Sequence, residues 1–172
     1  MPLLHKLDAF AENDVFHVVV ESPRGSTLKL KWDPQLGAMS VSRPLNFGLS
    51  FPYDWGFVPS TEAPDGDPVD ALVYWDVSSY PGVVIPCRAI AVVKVDQRGS
   101  GGDGRVRNDR IIALPTQVRR EHVGTSGDLP TRVREELNQF FLAATALEGK
   151  DACVLGWAGP DEAVALIRES VK

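Results

Sequence analysis

Short apolar segments separated by proline- and glycine-containing turns make up the first two thirds of this 172-residue chain. Residues 15–21 (VFHVVVE) are rich in β-branched and aromatic side chains, and residues 28–32 (LKLKW) alternate apolar and basic side chains. Both patterns predict strands. The same reasoning predicts further strands over residues 39–43, 71–77, 83–96 and 110–115. Short strands at this spacing favour a closed or nearly closed β-barrel over repeated βαβ units.

The pattern changes to helical spacing near the end of the chain. In residues 128–149, apolar side chains recur every three or four positions, at Val133, Leu137, Phe140, Phe141 and Ala144. This spacing predicts a helix, with Asp128 or Thr131 as a cap and Gly149 as its stop. Residues 159–172 (GPDEAVALIRESVK) predict a second helix with acidic residues in its first turn. We therefore predict a mainly β, or α+β, fold in which two C-terminal helices pack outside a barrel.

Length, charge and cysteine content narrow the class of protein. A chain of 172 residues is predicted to form one domain, residues 1–172. The net charge of -5 argues against a general nucleic-acid binder, which needs a basic surface. No uncharged apolar stretch approaches the roughly 18 residues of a membrane span. Cys87 and Cys153 lie far apart in the sequence, which predicts two free thiols and a cytoplasmic protein.

Residues 63–72 (APDGDPVDAL) place three carboxylates, Asp65, Asp67 and Asp70, within six positions. Asp-Gly and Asp-Pro steps favour turns, and a solvated acidic turn would need no further cause. Hard divalent cations, however, require several oxygen ligands close together, and the cluster leads directly into the apolar strand at residues 71–77. On the residues alone, a turn and a metal site both remain open.

The stretch FPYDWGFVPSTEAPDGDPVDALV, residues 51–73, resembles the signature of the soluble family I inorganic pyrophosphatases. The similarity extends from VVVESP at residues 18–23 to GW at residues 156–157, which is most of the chain. This resemblance implies a five-stranded OB-like closed barrel with flanking helices. It also implies Mg²⁺-dependent hydrolysis of inorganic pyrophosphate to two phosphates by a cytoplasmic homo-oligomer, which is a hexamer in bacterial relatives.

The resemblance further implies roles for acidic residues. Asp67 matches the general base that activates the attacking water, and Asp65 and Asp70 match metal ligands. Glu21 resembles the glutamate that holds a further metal ion through water. Asp96 lies one residue from the position of the family's next metal-ligand aspartate.

Basic and aromatic positions are implied to bind the substrate. Lys29 and Arg43 match residues that grip phosphate oxygens. Arg110 stands in the place of a family lysine, and Trp55 in the place of a signature tyrosine. We expect these four residues to line the pyrophosphate site.

Several positions depart from the family pattern, and they all fall within the implied site. Lys31 replaces a glutamate and Phe51 a tyrosine, while Ala144 and Thr145 replace a Tyr-Lys pair. Asn108 occupies the place of a metal-ligand aspartate, unless a shift of the loop brings in one of two neighbouring acids, Asp103 or Asp109. Three hypotheses stay open: a pyrophosphatase with weakened or altered substrate binding, a hydrolase of another phosphoanhydride, and a catalytically silent binding or assembly subunit.

Overall fold

The computed structural model of the chain describes residues 3–102, 104–117 and 128–172. Within these residues the chain forms a single-turn 3₁₀ helix (Leu4–Lys6), ten strands and two α-helices. The strands are β1 (Phe10–Glu12), β2 (Val15–Ser22), β3 (Leu28–Asp33), β4 (Ala38–Pro44), β5 (Asp54–Phe57), β6 (Asp70–Val73), β7 (Val84–Arg98), β8 (Arg105–Arg107), β9 (Arg110–Pro115) and β10 (Cys153–Ala158). The helices are α1 (Thr131–Thr145) and α2 (Pro160–Ser170). None of the helices in the described residues is long and apolar enough to span a membrane.

Five of the strands close into a ring. In spatial order, β2 pairs with β5, β5 with β6, β6 with β9, β9 with β7, and β7 again with β2. All of these pairs are antiparallel except β6–β9, which is parallel. The long strand β7 also pairs with β8 and β10, and β1 extends the sheet beyond β2. The predicted five-stranded OB-like barrel is confirmed.

Strands β2 and β5 approach each other at a glycine. A Cβ atom on Gly56 would lie 1.9 Å from the carbonyl oxygen of Val19 on the facing strand. No side chain can be accommodated at that distance, so residue 56 must be glycine for β5 to pair at this register.

Alternating side chains of the barrel strands build two apolar clusters, and each cluster is completed by one helix. Ala163 and Ile167 of α2 join the cluster that contains Phe16. Leu137 and Phe141 of α1 join the cluster formed by Leu72, Ile112 and their neighbours. Helix α1 begins at Thr131, and its N-cap position is occupied by Pro130, whose side chain cannot cap the helix.

Strands β3 and β4 form a separate hairpin that β2 holds against the barrel. Ser22 Oγ accepts a hydrogen bond from the Leu30 amide at 2.8 Å. Glu21 Oε1 accepts one from the Trp32 amide, also at 2.8 Å. These two bonds satisfy backbone donors on β3, and they fix the hairpin beside the acidic loop that precedes β6.

Candidate active site

A cavity of about 110 Å³ lies between the β3–β4 hairpin, the loop before β6, the end of β7 and the end of α1. Its wall carries two sets of charged side chains. The acidic set is Glu21, Asp65, Asp67 and Asp70, and the basic set is Lys29, Lys31, Arg43, Arg110 and Lys150. The structure therefore brings Asp65, Asp67, Asp70, Glu21, Lys29, Arg43, Arg110 and Trp55 to one pocket, as the sequence analysis expects.

The acidic loop is held in shape by its own hydrogen bonds. The Ala63 amide donates to the Asp67 carbonyl at 2.7 Å, and the Gly66 amide donates to the Ala63 carbonyl at 2.9 Å. Gly66 has a φ of 88°, a conformation that suits glycine. The Asp67 amide donates to Asp65 Oδ1 at 3.2 Å. Because this turn is tight, the three carboxylates share the same side of the pocket.

Burial disfavours the charged form of these carboxylates. It raises the pKa of Asp70 to about 6, although the positive charges of Arg110 and Lys29 act in the opposite direction. It raises the pKa of Glu21 to about 7, against the hydrogen bond from the Trp32 amide. The pKa of Asp65 is also raised, again chiefly by burial. A cation placed among these groups would stabilise their ionised forms.

The acidic set suits an open magnesium site and not a closed protein cage. Among residues 3–102, 104–117 and 128–172, no three His, Cys, Asp or Glu side chains converge closely enough to hold a metal by themselves. Mg²⁺, however, is usually bound by one or two carboxylates, with water and substrate phosphate completing its shell. Asp65 and Asp70 both line the pocket, and burial raises the pKa of both, so they fit that kind of binding.

Arg110 is the most deeply buried cation of the pocket. Its Nη1 donates to the Asn108 carbonyl at 2.5 Å, and its Nε has no hydrogen-bond partner within the described part of the chain. The guanidinium carbon lies 5.9 Å from the ring centroid of Trp55 and 5.3 Å from that of Phe141. Burial lowers the pKa of Arg110, and the carboxylates of Asp70 and Asp65 counter this effect. The result is a buried cation held beside two aromatic rings at the wall of the pocket.

Arg43 binds the end of α1 as well as facing the pocket. Its Nη2 donates to the Ala144 carbonyl at 2.5 Å, and its Nε lies 3.5 Å from Glu148 Oε1. The guanidinium thus satisfies a carbonyl that the end of the helix leaves unpaired. Thr145 lines the pocket but its hydroxyl donates to the Phe141 carbonyl at 3.1 Å.

Lys31 and Asp67 form an ion pair inside the pocket, with Nζ 2.8 Å from Oδ2. Although burial acts to lower it, the hydrogen bond and charge of Asp67 raise the pKa of Lys31. Sequence reasoning noted Lys31 only as a charge reversal, and it did not find this contact. It also did not assign a role to Lys150, which lies just after the turn that follows α1.

Asp96 and Asp109 do not line the pocket, and their expected role as metal ligands stays a prediction. Asp96 Oδ2 lies 2.7 Å from Arg105 Nε, and the next residue, Gln97, faces the pocket instead. Asp109 accepts hydrogen bonds from Arg107 at 2.8 and 3.0 Å and from the Val95 amide at 3.0 Å. Both carboxylates are held by these partners. Asp103 lies outside the described residues.

Carboxylates face cations across one cavity on a closed five-stranded barrel, an arrangement that suits a protein that binds a metal ion together with a phosphate anion. The family model for inorganic pyrophosphatase matches residues 18–172 of this chain. Inorganic pyrophosphatase from Thermus thermophilus is 37% identical over 161 residues, covering 92% of this chain and 89% of that relative. The Nostoc enzyme is 35% identical over 170 residues, covering 98% and 97%.

Solved structures agree. The crystal structure of the Thermus thermophilus pyrophosphatase has a TM-score of 0.90 and 32% identity, covering 99% of this chain and 97% of the other. That of an inorganic pyrophosphatase from Neisseria gonorrhoeae has a TM-score of 0.87 and 26% identity, covering 98% and 96%. The chain belongs to the inorganic pyrophosphatase family. The predicted family and the prediction of an enzyme of this class are confirmed.

Proposed function

We propose that this chain hydrolyses inorganic pyrophosphate to two phosphates, with Mg²⁺ as its cofactor, in the pocket described above. The observation that carries the proposal is the opposition of two charged sets across one cavity, in a chain of this family. A substrate with two linked phosphates needs cationic partners on both, and its hydrolysis needs an activated water.

The acidic set supplies the groups that activate water. Asp65 and Asp70 would hold Mg²⁺, with Glu21 contributing through a water molecule. Once bound, the ion would neutralise phosphate charge and lower the pKa of the attacking water. Asp67 accepts the proton of that water as general base. We assign this step to Oδ1, because Lys31 is hydrogen-bonded to Oδ2.

The basic set binds the phosphates and stabilises charge on the leaving group. Arg110 contributes the charge of its guanidinium from the wall of the pocket. Lys29 and Arg43 contribute from the hairpin side. Trp55 holds the guanidinium of Arg110 in place through its ring, in the position where the family signature has a tyrosine. Charge-assisted hydrogen bonds of this kind are the strong ones.

The proposal extends to the setting of the enzyme. We propose a single domain, residues 1–172, that works in the cytoplasm as a homo-oligomer, a hexamer by family resemblance. Free Cys87 and Cys153, the latter exposed, suit a reducing compartment. Phe47, an exposed aromatic residue in the loop after β4, is compatible with a subunit contact.

Phosphate release tests the proposal directly. Purified protein is incubated with pyrophosphate in Mg²⁺ buffer and in EDTA, with tripolyphosphate, ATP and a phosphate monoester as parallel substrates. We expect release from pyrophosphate in Mg²⁺, its loss in EDTA, and slower release from the other compounds. Release from nucleotides but not from pyrophosphate would overturn the substrate assignment. No release from any compound would overturn the enzymatic proposal and favour a binding role.

A further inference from the structure

A lysine side chain enters the acidic half of the pocket. Lys31 Nζ lies 2.8 Å from Asp67 Oδ2, and its charge is also felt by Glu21 and Asp70. The Lys31 side chain is 41% exposed and the Asp67 side chain is 55% exposed, so an ion that enters the pocket can reach the pair.

The hairpin delivers this lysine in a fixed position. Lys31 lies opposite Ser40 in the β3–β4 register. The next residue, Trp32, is fixed at both ends: its amide donates to Glu21 Oε1 at 2.8 Å and its indole Nε1 to His5 Nδ1 at 2.9 Å. Because alternate residues of a strand face the same side, the hairpin that presents Lys29 to the pocket also presents Lys31.

We propose that Lys31 is a resident cation that competes with the divalent ion for Asp67 and thereby sets the metal affinity of the pocket. The inference rests on the proposed function for the identity of the ion as Mg²⁺ or its substitute Mn²⁺. Asp67 lies in the same turn as Asp65 and Asp70, the residues proposed to hold the ion, so without substrate its carboxylate also faces the ion. An ammonium bound to that carboxylate must be displaced, or must share it, before a second cation can approach it. Lys31 thus lowers the metal affinity of the pocket by acting through Asp67.

Competition makes a definite prediction for the variant without the charge. Lys31→Gln removes the ammonium but keeps a polar side chain, and it should tighten Mn²⁺ binding roughly two- to fivefold, the range expected when a partly exposed ion pair is released. Lys94→Gln is the matched control. Lys94 is also ion-paired, to Glu162 of α2, but it does not line the pocket. The variant Lys94→Gln makes the same change in net charge as Lys31→Gln, and it should leave Mn²⁺ affinity within about twofold of wild type.

The experiment is a Mn²⁺ titration without substrate, with free Mn²⁺ measured by electron paramagnetic resonance. Wild type, Lys31→Gln, Lys94→Gln, Asp67→Asn and the Lys31→Gln/Asp67→Asn double variant are compared. In the Asp67→Asn background, the gain from Lys31→Gln should fall to less than about half, because the contested carboxylate is absent. Melting curves establish that each variant is folded.

Three results would overturn the inference. They are unchanged or weaker Mn²⁺ affinity in folded Lys31→Gln, an equal gain in Lys94→Gln, or an undiminished gain in the Asp67→Asn background. Lys31→Arg keeps the charge and covers the case in which Lys31→Gln does not fold. Its affinity should stay within about twofold of wild type, and a gain beyond that also contradicts the inference. The titration needs no turnover, so failure of the proposed hydrolysis would be seen separately in the phosphate assay.

Discussion

Replacing Arg110, the buried arginine of the pocket, should remove most of the affinity of the pocket for pyrophosphate. In Arg110→Met the side chain keeps apolar bulk against the rings of Trp55 and Phe141 but loses its charge and its donors. The Asn108 carbonyl loses its partner as well, and the positive charge that favours ionised Asp70 disappears. The variant therefore tests a cation that the sequence places only by resemblance.

The magnitude follows from the guanidinium donors other than the one that Nη1 gives to the Asn108 carbonyl. If a phosphate accepts two hydrogen bonds from the guanidinium, each contributing about 1.5–3 kcal/mol, their loss amounts to about 3–6 kcal/mol. At 1.4 kcal/mol per factor of ten, kcat/KM for pyrophosphate should fall roughly 10²- to 10⁴-fold.

Steady-state phosphate release with Mg²⁺ measures this effect, and Arg107→Met is its matched control. Arg107 is an arginine three positions earlier that pairs with Asp109 and does not line the pocket. We expect Arg107→Met to keep kcat/KM within about threefold of wild type, and Arg110→Lys to recover part of the loss, since it restores charge but not the planar fork. Folded Arg110→Met with kcat/KM within about threefold of wild type would refute the reasoning.

The remaining predictions concern stability. Asp54→Ala should lower the free energy of unfolding, measured by urea titration, by about 3 kcal/mol. Buried Asp54 accepts hydrogen bonds from the amides of Arg24 and Ser79 and from the indole of Trp75, and all of these are lost. A decrease below about 1 kcal/mol would contradict this prediction. Gly56→Ala should yield little folded protein by circular dichroism, and a native melting curve would count against the close approach of β5 to β2. Because the pKa of Glu21 is raised to about 7, this residue is expected to make metal-free protein less stable as pH rises from about 4.5 through 7, by about 3 kcal/mol at most. Asp70, with a pKa raised to about 6, adds to the loss, so Glu21→Gln should reduce it without abolishing it. An identical pH profile in EDTA for both proteins would refute the assignment.

Elements with strong periodicity could be predicted from the sequence, and short ones could not. The β-branched runs of β2 and β9 and the alternation of β3 led to strands close to those observed. Strand β5, DWGF, escaped prediction because Asp and Gly are typical of turns, although here all four residues are buried. Strand β10 contains a glycine with a φ of 146° and a shift in its pairing with β7, so its residues show no regular alternation.

The direction in which Asp96 faces also could not be predicted from the sequence. Alternation along β7 is interrupted by a register shift between Ala89 and Ala91, where the strand pairs with β9. A shift of one residue moves every later side chain to the other face. Asp96 consequently faces Arg105, and Gln97 faces the pocket. The acidic loop was found because its three aspartates are contiguous, whereas the contacts of Lys31 and Arg43 join segments distant in sequence and become visible only in the fold.

The most direct test of the proposed function compares pyrophosphate hydrolysis by wild type, Asp67→Asn and Asp151→Asn in Mg²⁺. Asp151 is an exposed carboxylate that pairs with Arg105 and does not line the pocket, so Asp151→Asn makes the same chemical change outside the pocket. We predict phosphate release by wild type and Asp151→Asn at similar rates, and a loss of roughly 10²-fold or more in folded Asp67→Asn, the range expected on removing a general base. Equal release by all three proteins would contradict the assignment of catalysis to this pocket.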